Sequence, residues 1–447
     1  MGRMKQFHDP KLSIWQSAIE EVVAKKTAGA QTQALGGTPV IGERPDSDDF
    51  MIREANSYCA AVNRGAPIET TPAGAAVTEG LGKTLVNCSL SGLKLAKAFI
   101  LGEKHDEDRL KVEFDKFGGC NPGYAEAAAV YAAYFIAQGK KIPYRVYKNL
   151  GDFVIDGKLP DNANVAILAD WGTGEQTAKA LLKQIADKKP DVVIHLGDVY
   201  YSGTQFEIQN YFSNPLTQIL NPAARQIPVF TLAGNHDMYC GGAPYYNLID
   251  KLGQPASYFC LRNDNWQFLA MDTGVHDFNP GSAGEGATYL EDTEVAWLKD
   301  KMDHAGNRRT VLLSHHQLFT AFDAIDNQEI NMRLHAQVSS FLPQTALWLW
   351  GHEHNFVVYG PFMKLQRGRC IGHAAFPVGV ADTPAKPRFS DVPLITNDAA
   401  GQPIRLGTTG ELYNHGYAMM KLNGPTATVS YYQDSDPDHP MFTETIP

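Results

Sequence analysis

The sequence predicts an α/β fold in which two packed sheets are flanked by helices, preceded by a mainly helical N-terminal region. Three observations support this prediction. The first is a set of five apolar runs of strand length: residues 166–169, 192–196, 228–233, 310–313 and 346–350. The second is a helix-like interval between the first two runs. The third is a pair of strand-turn-strand patterns further along the chain.

The first two apolar runs form a strand-helix-strand unit. Residues 177–186 carry Leu181, Leu182 and Ile185 at helical spacing, and Pro190 ends this helix before the second run begins. A crossover helix of this kind returns the second strand parallel to the first. The carboxyl ends of both strands then share one edge, which is where ligands bind in open α/β sheets.

The strand-turn-strand patterns add antiparallel strands. Residues 257–261 and 266–271 are joined by an Asn-Asp-Asn turn, and residues 417–422 and 426–432 are joined through Asn-Gly-Pro. Strands of both kinds in one domain favour two packed sheets.

The N-terminal third has a different pattern. A capped helix is expected after Ser13, and further helices are expected over residues 49–63, 91–101 and 122–138, the last of them apolar on every face. The predicted domains are therefore a helical region over residues 1–150 and a catalytic domain over residues 160–447.

Each of the five apolar runs ends in residue types that bind metal ions. These residues are Asp170, Asp198, Asn235 and His315, and the last run is followed by both His352 and His354. Carboxylate, amide and imidazole groups gathered at strand ends favour a metal centre.

The motifs, in order, are Asp170-x-Gly172, Gly197-Asp198-x-x-Tyr201, Gly234-Asn235-His236-Asp237, His315 and Gly351-His352-x-His354. This series resembles the calcineurin-like metallophosphoesterases, and the tyrosine resembles their purple acid phosphatase branch. The resemblance covers roughly residues 165–355 and implies an αββα sandwich.

The resemblance also implies two metal ions bridged by Asp198. One ion would be held by Asp170, Asp198, Tyr201 and His354, and the other by Asp198, Asn235, His315 and His352. In the non-tyrosyl branches a ligand histidine stands at the position of Gly172. Tyr200 competes with Tyr201 as the phenol ligand, because strand alternation does not choose between them; the spacing of the family motif selects Tyr201. A phenolate favours Fe(III) at that site, with Fe, Zn or Mn(II) at the second.

The implied reaction is hydrolysis of phosphate esters by attack of a hydroxide activated at the metal pair. His236 would contact the phosphoryl group or protonate the leaving oxygen, and Asp237 would orient the His236 ring. His316, next to a proposed ligand, is a further candidate to line the pocket.

Two alternatives remain open. One is a manganese or zinc phosphodiesterase of the same superfamily. The other is a non-catalytic scaffold that binds partners through its N-terminal helices. Decayed scaffolds lose ligands, and every expected position is filled here, which disfavours the second alternative.

Composition and charge limit which molecules the chain is expected to bind. A net charge of −10 and a pI near 5.8 argue against a nucleic-acid-binding surface, so bound metal would have to attract the anionic substrate. No apolar run is long enough to span a membrane. Residues 1–8 lack the apolar core of a signal peptide, so a cytoplasmic location is expected, or a secreted one if a leader was removed ahead of Met1.

Overall fold

The computed structural model describes Ser17 and residues 142–222, 226–278, 287–380 and 386–447. The chain divides into two compact units, Met1–Lys141 with Tyr239–Gly241, and Ile142–Met238 with Gly242–Pro447. All strands and helices given below belong to the second unit. Apart from Ser17, which is helical and buried, the helices predicted between Ser13 and residue 138 lie outside the described residues.

The described residues of the second unit form fifteen strands: β1 (Val154–Ile155), β2 (Asn164–Leu168), β3 (Val192–His195), β4 (Val229–Thr231), β5 (Phe259–Arg262), β6 (Trp266–Ala270), β7 (Arg309–Leu313), β8 (Thr345–Trp350), β9 (Phe356–Val358), β10 (Gly368–Ile371), β11 (Thr408–Thr409), β12 (Leu412–Tyr413), β13 (Gly416–Asn423), β14 (Thr426–Gln433) and β15 (Phe442–Ile446). Each of the five predicted apolar runs overlaps one of these strands, namely β2, β3, β4, β7 and β8.

Its α-helices are α1 (Gln176–Asp187), α2 (Gln205–Glu207), α3 (Asn235–Met238), α4 (Ala243–Leu252), α5 (Asp292–Asp303) and α6 (Met332–Val338). Two π-helical turns, Ile208–Ser213 and Leu216–Leu220, follow α2, and a 3₁₀ turn, Leu342–Gln344, precedes β8. Helix α1 contains the predicted crossover helix.

Two main sheets are present in the described part of the chain. Six strands are ordered β15-β14-β13-β2-β3-β4, and seven are ordered β1-β5-β6-β7-β8-β10-β9. Strands β2, β3 and β4 run parallel, as do β6, β7 and β8. The predicted hairpins β5–β6 and β13–β14 are both antiparallel pairs.

The alternation of side chains along each strand builds the layers. Val165 and Ile167 of β2 face a core shared with Val311 and Leu347 of the other sheet. On the opposite face of β2, Ala166 and Leu168 pack with α1 residues, among them Leu181 and Leu182. Trp348 of β8 packs outward with Trp297 of α5. Helices therefore cover both outer faces, and the predicted αββα sandwich is confirmed.

The parallel strands fix the place of the polar residues. Asp170 follows the end of β2, Asp198 follows β3 and Asn235 follows β4, while His315 follows β7 in the second sheet. His352 and His354 follow β8. Because carboxyl ends of parallel strands lie at one edge, these residues come together at one end of the sandwich.

Candidate metal centre

Three side chains from different strand ends converge on one point. Asn235 Oδ1 lies 3.1 Å from His315 Nε2 and 3.1 Å from His352 Nδ1, and these two nitrogens are 3.3 Å apart. Atoms bound to a shared cation at about 2.1 Å lie about 3.0–3.4 Å from one another. The spacing of these atoms therefore fits one metal ion. Asn235, His315 and His352 are called the second group, because the resemblance assigns them to the second ion.

Another set of three side chains meets beside Asp198. Tyr200 Oη lies 2.7 Å from Asp170 Oδ1 and 2.7 Å from His354 Nε2. His354 Nε2 is 3.4 Å from the same Asp170 oxygen. Asp170, His354 and Tyr200 form the first group. Its oxygen and nitrogen atoms have the spacing expected of ligands around a second cation.

Asp198 links the two groups. Its Oδ2 lies 3.3 Å from His315 Nε2 of the second group. Ligand atoms of Asp170, Asp198 and His354 also lie within 4.8 Å of one another. This carboxylate is thus placed where a bridging ligand would stand.

The tautomer of His315 suits a ligand. Its Nδ1 lies 3.0 Å from the carbonyl oxygen of Leu196. A carbonyl only accepts, so in the neutral ring Nδ1 carries the proton and Nε2 keeps its lone pair. That lone pair faces Asp198 and Asn235, which is the arrangement found in metal-binding histidines.

The backbone is strained at three candidate ligands. Asp170, Asp198 and His352 have φ values of 59°, 75° and 68°, in the left-handed region that side chains other than glycine rarely adopt. Strain of this kind clusters at functional sites. The positive φ of His352 bends the segment from Gly351 to His354, and the Glu353 carboxylate in this segment accepts a hydrogen bond from the Thr320 hydroxyl.

Gly234 provides the space that Asp198 needs. A Cβ atom at this position would lie 2.0 Å from Asp198 Oδ1. The same carboxylate oxygen accepts a hydrogen bond from the backbone N–H of His236 at 3.0 Å. The glycine therefore allows the β4 turn to close directly onto the carboxylate.

Charge in the centre is shared between Asp198 and His315. Burial alone would raise the pKa of Asp198, but nearby His315 and His236 lower it below the usual aspartate range. Burial opposes protonation of His315, yet the charge of Asp198 raises the pKa of His315 to about 9. Without a cation the protonated imidazole balances the carboxylate, and a metal ion would replace that proton.

His236 lies beside Asp198. Its Nδ1 is 2.6 Å from the carbonyl oxygen of Tyr201, and its Nε2 is 3.9 Å from Asp198 Oδ2. Since the carbonyl fixes the proton on Nδ1 in the neutral ring, Nε2 is the atom turned toward the candidate metal centre.

Asp237, predicted to orient the His236 ring, has its carboxylate turned toward the backbone of the turn after β3. Its carboxylate accepts hydrogen bonds from the backbone N–H groups of Asp198, Val199 and Gly234 at 2.9–3.2 Å. The Tyr201 carbonyl holds the His236 ring instead. Asp237 thus fixes the turn that carries Asp198, because three convergent amides hold its carboxylate in place.

His316 is buried beside the second group, with its ring centroid 4.3 Å from that of His352. Ligand atoms of His315, His316 and His352 lie within 4.8 Å of one another. However, His316 Nδ1 contacts Thr273 Oγ1 at 3.0 Å, and Nε2 contacts Asp277 Oδ2 at 3.2 Å. Both ring nitrogens therefore have protein partners, which favours a pocket wall over a ligand.

The tyrosine brought to the first group is Tyr200. Its neighbour Tyr201, selected by the motif spacing, contributes main-chain contacts: its N–H donates to Glu207 and its carbonyl contacts His236. The Glu207 carboxylate also accepts from the N–H groups of Ser202 and Thr204.

Sequence reasoning missed Asp277 and Thr273, which hold His316. A signal was present for this segment, because β6 is a further apolar strand followed by polar residues, Asp272 and Thr273. The Asp272 carboxylate is turned toward its own loop, where Oδ1 accepts hydrogen bonds from the backbone N–H groups of Gly274 at 3.1 Å and Val275 at 3.0 Å. No helix among the described residues has both the length and the apolar character needed to cross a membrane.

Residues 163–356 match the family model described as calcineurin-like phosphoesterase. A glycerophosphodiester phosphodiesterase of Enterobacter lignolyticus (strain SCF1) is 27% identical over 177 residues, which cover 38% of this chain and 58% of the relative. Tartrate-resistant acid phosphatase type 5 of Sus scrofa is 22% identical over 281 residues, which cover 58% of this chain and 76% of that enzyme.

Among solved structures, a purple acid phosphatase from yellow lupin (Lupinus luteus) is similar at a TM-score of 0.44 and 13% identity. The similarity covers 64% of this chain and 54% of that one. The chain thus spans little more than half the length of both the bacterial phosphodiesterase and the lupin enzyme.

Proposed function

We propose that this chain, whose residues 163–356 belong to the calcineurin-like phosphoesterase family, hydrolyses phosphate monoesters at a pair of metal ions. The observation that carries the proposal is the position of the buried Asp198 carboxylate between the two groups of candidate ligands. Two like-charged cations held close together need an anionic bridge, and Asp198 would supply it.

The residues present fit two cations of different kinds. Asp170, Asp198, His354 and a tyrosine would hold one ion, and Asp198, Asn235, His315 and His352 would hold the other. When bound, the two ions would lower the pKa of a water molecule and offset charge on the phosphoryl oxygens. The more anionic first group suits Fe(III), and the second suits Fe, Zn or Mn(II).

The other residues of the site would bind substrate and move a proton. His236 Nε2 lies 3.9 Å from Asp198 Oδ2. In the doubly protonated ring, Nε2 would contact the phosphoryl group and give its proton to the leaving oxygen, and the remaining proton would stay on Nδ1, which faces the Tyr201 carbonyl. The Asp237 carboxylate would hold the turn that carries Asp198 in place, because it accepts hydrogen bonds from three backbone N–H groups. His316, held by Asp277 and Thr273, would form one wall of the pocket.

A phosphodiesterase is the second candidate, supported by the 27% identity to a glycerophosphodiester phosphodiesterase. The purple acid phosphatase-like candidate is supported by Gly172, which offers no ligand, together with a tyrosine hydroxyl beside Asp170. The two candidates differ in the ester that they cleave and not in the need for metal.

The test is a panel of aryl monoesters and matched diesters, measured on protein whose metal content has been determined. Monoesters cleaved faster than diesters would support the proposal, and the reverse order would favour the second candidate. Protein that holds two ions per chain and cleaves neither ester would contradict both.

A further inference from the structure

Three stacked side chains lie outside both ligand groups and form what we call the rim stack. The rings of His276 and Tyr289 are parallel to within 13°, with their centroids 3.8 Å apart. The guanidinium carbon of Arg333 lies 3.5 Å from the Tyr289 centroid. Two groups this close to one ring have to lie on its opposite faces. Arg333 is exposed, whereas His276 and Tyr289 are half-buried.

The order of strands and helices places the rim stack at the same edge of the sandwich as the metal centre. His276 follows β6, Tyr289 precedes α5, and Arg333 lies in the first turn of α6. Helix α5 connects β6 to β7 and helix α6 connects β7 to β8, and these strands are parallel. Such a connection leaves from the carboxyl end of the first strand. Both helices therefore begin at the edge where His315 and His352 stand.

A series of hydrogen bonds joins the rim stack to His316, the proposed pocket wall. The His316 ring contacts Thr273 Oγ1 at 3.0 Å, and the Thr273 carbonyl accepts from Thr288 Oγ1 at 2.6 Å. The Thr288 carbonyl accepts in turn from Asn331 Nδ2 at 2.9 Å. Thr288 precedes one member of the stack, and Asn331 stands two positions before another. The rim stack is therefore anchored beside this wall.

The ring beneath the Arg333 guanidinium is fixed by its main chain. Leu290, the residue after Tyr289, exchanges two hydrogen bonds with the Gln337 side chain, at 2.9 and 2.8 Å. Gln337 lies on α6 one turn after Arg333. The helix that carries the cation thus also holds the segment that carries the ring. An arginine stacked on such a ring loses less freedom when a ligand binds.

The charge of Arg333 is available to a ligand. Among the residues that the structure describes, no carboxylate forms an ion pair with this guanidinium. The acidic group of the same segment, Glu291, lies 3.2 Å from His276 Nε2 instead. A guanidinium presents five N–H donors in one plane, an arrangement that matches the oxygens of a carboxylate or a phosphate.

We propose that Arg333 determines substrate specificity by binding a second anionic group, carried by the leaving part of the ester. The proposal rests on the proposed function, because it names the substrate class of the same site. The metal ions would take the phosphoryl group that is transferred, which leaves Arg333 for the other end of the substrate. The class is therefore phosphate esters whose alcohol or phenol carries an oxyanion such as a carboxylate.

The experiment measures kcat and KM on protein whose metal content has been determined. The substrates are aryl phosphates with a para-carboxyalkyl chain of several lengths, each paired with its neutral carboxamide. Wild type should have the lower KM for the carboxylate of at least one pair. Arg333→Gln should raise that KM about fivefold, the scale of one exposed ion pair, and leave kcat and the carboxamide unchanged.

Two variants serve as controls. Arg333→Lys keeps the positive charge and should keep part of the preference, although it loses the planar fork of donors. Lys183→Gln also removes one positive charge, from an exposed side chain of α1, and should change neither KM. Raising the ionic strength should weaken the preference of wild type, because salt screens exposed charges.

The proposal would be overturned if Arg333→Gln changed the KM of carboxylate and carboxamide equally, or changed neither. The same selective loss in Lys183→Gln would also overturn it, since net charge and not contact would then be responsible. A wild type that cleaves the esters without favouring any carboxylate would remove the role of Arg333 and leave the proposed function intact. Protein that holds two ions and cleaves no phosphate ester would contradict the proposed function itself.

Discussion

The two ligand groups lie on either side of Asp198 and differ in charge. The first group offers the carboxylate of Asp170 and the hydroxyl of Tyr200 together with one imidazole. The second offers the neutral amide of Asn235 and two imidazoles. This difference in charge supports the proposal that two unlike ions bind, a more highly charged one on the Tyr200 side and a divalent one on the Asn235 side.

Asp198→Asn should have the largest effect, because this carboxylate lies between the two groups and is proposed to bind both ions. The substitution keeps the size of the side chain and removes its negative charge. We expect loss of most bound metal and a fall in turnover of at least about a thousandfold. Metal analysis and initial rates on one preparation would measure both. A variant that kept two ions and wild-type turnover would remove the basis for comparing the groups.

Asn235→Ala should separate the two groups. It removes a ligand oxygen that lies 3.1 Å from both histidines of the second group and leaves the first group unchanged. The variant should keep one ion per chain and lose the other, with turnover reduced about a hundredfold or more. Asp170→Asn is the matched substitution in the first group and should weaken the opposite ion. Equal loss of both ions in both variants would show that the groups do not bind independently.

His236→Ala should leave both groups filled, since His236 belongs to neither. We expect turnover to fall about a hundredfold, the usual scale for a general acid, with the metal content unchanged. The loss should be larger for alkyl phosphates, whose leaving oxygen needs a proton, than for activated aryl phosphates. Equal losses on both substrates would reduce His236 to an electrostatic contact.

The smallest effect is expected at Glu353, which belongs to neither group and whose carboxyl group contacts the Thr320 hydroxyl. Burial raises the pKa of Glu353 to about 8, above its unfolded-state value near 4.3. Because the folded-state pKa is the higher one, the contribution of Glu353 to stability is fully present below about pH 4 and is lost as the pH rises through 8. The metal-free protein should therefore lose stability between about pH 4 and pH 8.

Glu353→Gln should flatten that decline, because the amide does not titrate. Thermal unfolding of the metal-free protein at several pH values would measure it, with the exposed Asp264→Asn as control. Over this range the free energy of unfolding of wild type should fall by a few kcal/mol more than that of Glu353→Gln, at about 1.4 kcal/mol per pKa unit. An identical decline in Glu353→Gln and wild type would contradict the buried, protonated state of Glu353.

The sequence predicts the strand ends well and the turns poorly. Apolar runs of strand length are read directly from residue types, so Asp170, Asp198 and His315 could be placed at one edge from the sequence alone. Which of two consecutive tyrosines faces that edge depends on the turn after Asp198. Glu207 shapes this turn by accepting amides from residues 201, 202 and 204. Alternation along a strand carries no information about such a turn.

Contacts between segments that are far apart in the sequence were equally hard to predict from it. His316 and Asp277 are separated by 39 positions, and their hydrogen bond exists because β6 and β7 are neighbours in the sheet. Asp237 was expected to act on the adjacent His236, yet its carboxylate reaches back to Asp198 and Val199. Proximity in sequence was a poor guide to the partner of a buried carboxylate.

Anomalous diffraction from crystals of the metal-loaded protein would locate the two ions proposed on either side of Asp198. We predict two peaks about 3.5–4 Å apart, both within bonding distance of the Asp198 carboxylate, one beside Asp170 and the other beside Asn235. A single peak, or two peaks of which only one contacts Asp198, would show that this carboxylate does not bridge a metal pair.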